Sequence, residues 1–243
     1  MSLTGRSVPP LILSREGNSL SLWEQIYNNL IAQDRWMLIL RGLGTTLLIA
    51  FGAIVIGTVI GIIICLFRMS NIKILRWIGT LYITVIRGVP VITQLMIFAF
   101  VIFAPYGMPL IVVAIIGFGV NSGAYVSEIF RAGIQGVDIG QMEAGRSLGL
   151  KKWQTMVKII FPQAFKNILP TYTNEFIVLI KETSVAGYIA IQDLTKVGDM
   201  IRNATFNAWV PLITTAVIYL ILTLGLAKIF SLLERRLARS DRG

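Results

Sequence analysis

The sequence predicts an all-α integral membrane protein with about five transmembrane helices. The 243 residues are 55% hydrophobic and only 14% charged, whereas a soluble domain carries about 25% charged residues. Apolar segments of about 20 residues recur along the chain, and this length spans the hydrocarbon core of a bilayer. Basic residues gather in the connections between these segments, as is typical of cytoplasmic loops.

Two features of the composition exclude much chemistry. The chain has no histidine and one cysteine, Cys65, so it offers no imidazole base, no histidine metal site and no intrachain disulfide. Cys65 lies within an apolar run and is interpreted as a small buried residue. The net charge of +10 is ascribed to cytoplasmic loops facing anionic lipid rather than to nucleic acid.

The N-terminal extension, residues 1–42, contains two segments of different character. Residues 1–20 are rich in Pro, Gly and Ser and predict a loop, without an apolar core of signal-peptide length, so we expect insertion through the first span without cleavage. Residues 21–41 have apolar side chains at helical spacing and predict an amphipathic helix. The first span covers 43–67, where Gly57 and Gly61 form a small-xxx-small pair that fits a close helix contact.

The next apolar segment is broken before a tight turn. Residues 78–103 are interrupted by RGVP at 87–90, so we expect a bend or a separate short helix. APYGMP at 104–109 predicts a turn. A third span follows from about 110 to 130.

The second half of the chain alternates polar and apolar segments. Residues 131–168 form a hydrophilic loop and 169–191 a fourth span. A polar link at 192–208 leads to the fifth span at 209–232, and a basic tail occupies 233–243.

The distribution of positive charge predicts an external N-terminus and a cytoplasmic C-terminus. The turn at 104–109 contains no Lys or Arg. Four arginines before the first span oppose this orientation, but the central loop and the tail outweigh them. Their basic residues are Arg146, Lys151, Lys152, Lys158, Lys166, Arg235, Arg236, Arg239 and Arg242.

The central loop carries signals for two short helices. Asp138 fits the N-cap of a helix that runs to about Leu148, and Gly149 fits its C-terminus. A second helix, with Trp153, Met156, Val157 and Ile160 on one face, is expected to end at Pro162. Amphipathicity alone allows an interfacial helix among lipid headgroups. The small Glu143-Ala144-Gly145 corner favours docking onto another protein instead.

The stretch EAGRSLGLKKWQTMVKIIFP at 143–162 resembles the cytoplasmic signature loop of ABC importer membrane subunits. That pattern is Glu-Ala-Ala, three residues, Gly, nine residues and Ile-x-Leu-Pro. Gly145 replaces the third small residue and Phe161 replaces Leu. The matching residues are Glu143, Ala144, Gly149, Ile159 and Pro162.

Further stretches resemble the polar amino acid permeases of that family. YITVIRGVPVITQL at 82–95 is similar to their Arg-Gly-Thr-Pro segment, with Val89 where Thr is usual. Residues 124–150 and 174–194 are similar to the segments on either side of the loop. The resemblance covers about 43–232, and it implies a permease domain of the type I importer fold over that range.

The resemblance also implies the partners. A second permease subunit, identical or related, two copies of an ATP-binding cassette ATPase and an extracytoplasmic amino-acid-binding protein complete such an importer in the bacterial cytoplasmic membrane. The chain has no G-x-x-x-x-G-K-[ST] phosphate loop, so ATP and Mg²⁺ are expected on the ATPase, and this multi-pass chain is expected to be no enzyme and to bind no cofactor. The implied ATPase-docking residues are Glu143, Ala144, Gly145, Leu148, Gly149, Trp153 and Pro162.

Polar residues inside the spans are candidates for the translocation pathway. Ionisable groups at membrane depth are costly and face the interior of a bundle, and a zwitterionic substrate needs both signs of charge. Mutual neutralisation is the alternative, and Arg87 and Arg131 are interpreted as structural. The candidates are Asn121, Glu128, Glu175, Lys181, Glu182, Thr183 and Ser184.

Two other classes of protein compete with the importer subunit. An ion-coupled secondary transporter would show internal repeats with paired broken helices, and none is evident in the sequence. A membrane enzyme would need a cluster of catalytic groups, which the missing histidine and scattered carboxylates do not supply.

Overall fold

A computed structural model describes residues 21–239, and within that range the chain contains helices and turns but no strand. Short π and 3₁₀ turns extend or join several of the helices. The ten α-helices are α1 Leu22–Ile26, α2 Arg35–Met69, α3 Lys73–Gly88, α4 Val91–Ile97, α5 Leu110–Gln135, α6 Ile139–Ser147, α7 Lys152–Thr155, α8 Phe161–Glu182, α9 Leu194–Thr205 and α10 Trp209–Arg239.

The central pair of helices, α2 and α5, packs in parallel through glycines on both sides. A Cβ on Gly57 would lie 3.2 Å from the carbonyl oxygen of Gly119, and one on Gly61 would lie 2.6 Å from Cγ1 of Val126. On the other helix, a Cβ on Gly123 would lie 2.8 Å from Cγ2 of Ile60. The close-packing role expected for Gly57 and Gly61 is therefore confirmed.

The remaining long helices surround this pair. Helix α8 runs antiparallel to α5, since a Cβ on Gly133 would meet Ile168 at 2.3 Å while Ser122 contacts Glu175 further along. Helix α10 returns along α8, and Phe176 packs edge-on against Phe230. The largest side chains of the core are Ile49, Leu95, Phe118, Leu179 and Ile189.

The break expected at RGVP is confirmed. Helix α3 and the helical segment Val91–Ile102 meet at an angle of 103°. Val89 is extended, as favoured before a proline. The Nε2 group of Gln94 donates to the carbonyl oxygens of Ile86 and Val89, each at 2.7 Å, and so satisfies groups freed by the break.

The single helix expected over 21–41 is wrong. Gln33 and Asp34 adopt left-handed backbone angles, with φ of 58° and 54°, and they separate α1 and its π turn from α2. Helix α2 then begins at Arg35 and passes residue 42 without a break. The loop expected at 1–20 lies outside the described residues.

The polar link expected at 192–208 contains a helix, α9. Asp193 caps this helix, because its carboxylate accepts hydrogen bonds from the backbone N–H groups of Thr195 at 3.0 Å and Lys196 at 3.1 Å. Burial raises the pKa of Asp193, while these donors act in the opposite direction. Leu194, Val197, Gly198 and Ile201 form the buried face of the helix.

We expect Asp193→Ala to lower the free energy of unfolding by about 1 kcal/mol, a typical value for a lost N-cap. Asp193→Asn retains an acceptor oxygen and is expected to lose less than half of that. Thermal unfolding in detergent measures both variants, and equal loss in the two would contradict a capping role.

The end expected at Pro162 is also wrong, because α7 continues through a π turn at Met156–Ile160 into α8. The N–H of Phe161 bonds to the carbonyl oxygen of Met156, five residues back. A π turn widens the helix, which gives the Pro162 ring room directly after it. At the far end, α8 stops at Glu182, and a 3₁₀ turn over Thr183–Ile189 replaces the last part of the span expected at 169–191.

Three helical segments in the described chain are long and apolar enough to cross a membrane, or four if the bent pair counts as one span. Helix α8 does not qualify because polar residues interrupt it, so the count of five and the orientation stay predictions. The C-terminal ends of α2 and α5 lie with the central hairpin at one end of the bundle. Helix α9 lies at the other end, where Val197 contacts Gly42.

Candidate docking hairpin and polar interior

The central loop folds into a hairpin of α6 and α7 joined by Gly149. The N–H of Leu150 bonds to the carbonyl oxygen of Gly145 at 3.1 Å, and the N–H of Gly149 to that of Arg146 at 3.0 Å. This pair of bonds is the Schellman motif, which needs a left-handed residue, and Gly149 has φ +83°. The helix end expected at Gly149 is therefore confirmed.

The start of α6 is fixed as expected from the sequence. Asp138 Oδ1 accepts a hydrogen bond from the backbone N–H of Gly140 at 2.7 Å. Both ends of this nine-residue helix are thus satisfied by its own residues, so the hairpin has a defined shape before any partner binds.

Gly145 lies inside the hairpin and not on its outer surface. A Cβ there would lie 2.4 Å from Cγ2 and 2.9 Å from Oγ1 of Thr155, which is fully buried. The small residue is therefore required by the contact between α6 and α7. Gly145 therefore does not lie on the exposed surface of the hairpin, and its expected role in docking stays a prediction.

The outer surface of the hairpin carries several exposed large apolar side chains among charged ones. Leu148 is 79% exposed, Trp153 63% and Ile139 77%. Glu143 and Ala144 are also exposed. Large apolar side chains in a segment outside the candidate spans indicate an interaction surface for another protein or for the membrane.

Ile160 and Pro162 do not belong to this exposed surface, although the sequence grouped them with it. Trp153 and Val157 are exposed, whereas Ile160, the last residue of the π turn, is 6% exposed. Pro162 is exposed on the first turn of α8, beyond the hairpin.

The interior contains a polar contact between α5 and α8. Ser122 Oγ donates to Glu175 Oε1 at 2.9 Å, and Ser122 is 1% exposed. The neighbouring Asn121 is 3% exposed. The candidate Glu175 is therefore bonded to Ser122, the residue that follows the candidate Asn121 in the sequence.

Glu128 forms ion pairs with two arginines. Its Oε1 lies 2.9 Å from Arg68 Nη1 and its Oε2 lies 2.6 Å from Arg131 Nη2, with all three side chains 20–27% exposed. The alternative of mutual neutralisation therefore holds for Glu128. Arg68 and Glu128 lie near the C-terminal ends of α2 and α5, and the sequence alone did not predict that they pair.

The candidates at the end of α8 are not brought into this network. Lys181 is exposed, and neither it nor Glu182 forms an ion pair with any described residue. Thr183 is fully buried, and its hydroxyl donates to the carbonyl oxygen of Ile180 at 2.7 Å. Ser184 is half-buried in the following 3₁₀ turn.

The sequence did not predict one contact between a cation and an aromatic ring. The Arg87 guanidinium lies 5.1 Å from the ring centre of Tyr125, a cation–π distance. Asn121, Tyr125 and Glu128 follow i, i+4, i+7 spacing and share one face of α5. Only the spacing of these residues could have indicated that face in the sequence.

In residues 21–239, His, Cys, Asp and Glu form no group of three that could hold a metal ion.

A bundle of apolar helices with a preformed, exposed hairpin defines a membrane component that works together with another protein. The chain belongs to the family of binding-protein-dependent transport system inner membrane components, whose model matches residues 53–239. It is therefore a multi-pass inner-membrane permease subunit of an ABC importer, not an ion-coupled secondary transporter, and the predicted class is confirmed.

Individual relatives agree with this family. The chain is 40% identical over 223 residues to the probable amino-acid ABC transporter permease protein YckA of Bacillus subtilis, covering 89% of this chain and 96% of the relative. It is 38% identical to the arginine transport system permease protein ArtQ of the same organism, with 84% and 94% covered.

Solved structures show the same fold. A crystal structure of an amino acid ABC transporter with histidines matches at a TM-score of 0.78 and 43% identity, over 83% of this chain and 94% of that one. An inward-facing MetNI methionine ABC transporter matches at a TM-score of 0.73 and 21% identity, over 85% and 99%.

Proposed function

We propose that this chain forms the translocation pathway for polar amino acids and couples it to ATP hydrolysis on a separate ATPase subunit. Relatives at 38–40% identity carry amino-acid or arginine transport in their names. A structural neighbour at 43% identity is titled an amino acid ABC transporter. ATP and Mg²⁺ belong to the ATPase in this proposal, and the chain itself holds no cofactor.

The exposed hairpin is the observation that carries the coupling role. Leu148 and Trp153 present large apolar areas outside the spans, and Glu143 adds a carboxylate for a basic or amide group of the ATPase. Aromatic anchors within apolar patches contribute much of the energy of protein interfaces. Two ATPase copies would each receive one hairpin from a pair of permease chains, while an amino-acid-binding protein delivers substrate to the opposite face.

The polar side of α5 supports a pathway for a zwitterion. Asn121 and Tyr125 share the face that leads to Glu128, and Arg87 stacks on the same tyrosine. Arg87 and Glu128 therefore place both signs of charge beside one helix face, although Arg68 and Arg131 pair with Glu128 in this arrangement of the bundle. The pair of Ser122 and Glu175 lies beside it, and alternation between two arrangements of the bundle would open this face to either side.

The direct test is ATPase activity of the reconstituted complex with candidate binding proteins and amino acids. We expect hydrolysis to rise when a binding protein loaded with a polar amino acid is added. Transport of radiolabelled substrate into proteoliposomes should follow the same preference. Equal stimulation by apolar amino acids would contradict the substrate class.

We expect Glu143→Arg to reduce coupled transport at least about tenfold, because a like charge at an interface costs more than about 1.4 kcal/mol. The measurements are assembly with the ATPase by size-exclusion chromatography and transport in proteoliposomes.

Gln141→Arg is the matched control. Gln141 is also an exposed polar residue of α6, but it faces α8, where Gln163 Nε2 lies 3.4 Å from its Oε1. This variant is expected to assemble normally. Intact assembly and transport in Glu143→Arg would refute the docking role, and the substrate proposal would be unaffected.

A further inference from the structure

A deep apolar groove lies between α2, α5 and α8 at the hairpin end of the bundle. Its volume is about 810 Å³, within the range of about 300–1,000 Å³ typical of small-molecule sites. Cys65 and Ile168 are buried in its floor, while Leu66 and Phe165 are exposed at its rim. The rim faces outward from the bundle, so the groove is open to the medium around the helices.

The wall of the groove is unsuited to a polar amino acid. The hydroxyls of Thr58 and Tyr172 at its deep end lie 2.6 Å apart and bond to each other, and Thr58 also donates to the carbonyl oxygen of Ile54. These polar groups are therefore already satisfied. A zwitterion placed there would lose its hydration without replacement, whereas an alkyl chain would lose nothing.

The groove carries one charged group, and it stands at the end near the hairpin. Lys152 lines the groove, is exposed and forms no ion pair with any described residue. From Thr58 to Met69 along α2, the groove is about 16 Å long at 1.5 Å per residue. This length is about half the hydrocarbon thickness of a bilayer, which is about 30 Å.

We infer that the groove binds one anionic phospholipid, with an acyl chain along α2 and the phosphate on Lys152. The length of the groove matches one leaflet, and the position of Lys152 at its end matches a headgroup, so both features fit this occupant. Because α7 and α8 form one wall, the lipid bridges the docking hairpin and the bundle.

Native mass spectrometry of the assembled transporter tests this with phosphatidylglycerol and phosphatidylcholine. We expect one phosphatidylglycerol per permease chain to bind in preference to phosphatidylcholine. Lys152→Gln should weaken that binding about fivefold, the value of one lysine at an anionic surface. Lys151→Gln is the matched control, since this exposed lysine does not line the groove. Equal affinity for the two lipids, or equal loss in both variants, would overturn the inference.

A second variant tests the apolar part. Leu66→Trp fills the rim of the groove and should remove the bound lipid, whereas Leu48→Trp, at another exposed leucine of α2, should retain it. The native Cys65 reports the same event, because phosphatidylglycerol should slow its reaction with an apolar maleimide. Unchanged reactivity of Cys65 would contradict occupancy.

The competing occupant is a second permease chain. With Cys65 replaced by serine, Leu66→Cys is expected to give no disulfide between permease chains in oxidised membranes. Efficient formation of that disulfide would show that protein covers the groove and would overturn the lipid assignment.

Discussion

Gly61→Leu is expected to abolish the folded permease. A Cβ at this position would already lie 2.6 Å from Cγ1 and 2.8 Å from Cβ of Val126, and 3.1 Å from the backbone nitrogen of Ser127. The last contact is with backbone, so a side-chain rotation cannot relieve it. Overpacking a core costs about 1–3 kcal/mol, and forcing apart the central pair of helices is expected to exceed that range. Fluorescence-detected size exclusion should show loss of the monodisperse species.

Gly44→Leu provides the matched control within the same helix. A Cβ on Gly44 would have no atom within 4 Å, so the variant is expected to purify as a monodisperse protein with little change in thermal midpoint. A stable Gly61→Leu protein, or equal losses in both variants, would contradict a packing role for the glycine face.

Glu128→Ala is expected to lower the free energy of unfolding by about 2–3 kcal/mol, somewhat below the value for a fully buried pair because the carboxylate is about a quarter exposed. The substitution leaves Arg68 and Arg131 facing each other without the anion that neutralises them. Thermal unfolding of the purified protein in detergent measures the loss.

Asp199→Ala removes the carboxylate from a second cluster of one acidic and two basic residues, which lies nearer the surface. Asp199 contacts Arg202 at 2.6 Å and Lys196 at 3.4 Å, but these side chains are 31–43% exposed. Exposed pairs contribute about 0–1 kcal/mol, so we expect a clearly smaller loss than for Glu128→Ala. Similar losses in the two variants would show that burial does not decide the energy of the Glu128 cluster.

The local signals of the hairpin were readable from the sequence because they depend on neighbouring residues. Asp138 and Gly149 each supply a capping requirement that operates within one helical turn. The small pair on α2 likewise predicted a close helix contact. Its partner residues on α5 are distant in the chain, so sequence spacing alone could not name them.

The failures share a physical cause, which is that tertiary contacts override local preferences. Pro162 is a helix breaker in isolation, yet the π turn before it allows the helix to continue. The segment containing α9 is polar on average, but its buried face packs on the N-terminal part of α2, where Val197 meets Gly42. Gly145 had the residue type expected at a partner surface, and only the position of Thr155 shows that it is internal.

The continuity of α7 and α8 through Pro162 has a mechanical consequence. The helical segment from Lys152 to Glu182 is about 46 Å long at 1.5 Å per residue, and no loop interrupts it, although a π turn and Pro170 lie within it. A continuous helix can carry a displacement from one of its ends toward the other. Under the proposed docking at Trp153, we expect a displacement of the hairpin to reach Glu175 as a tilt or rotation of this helix.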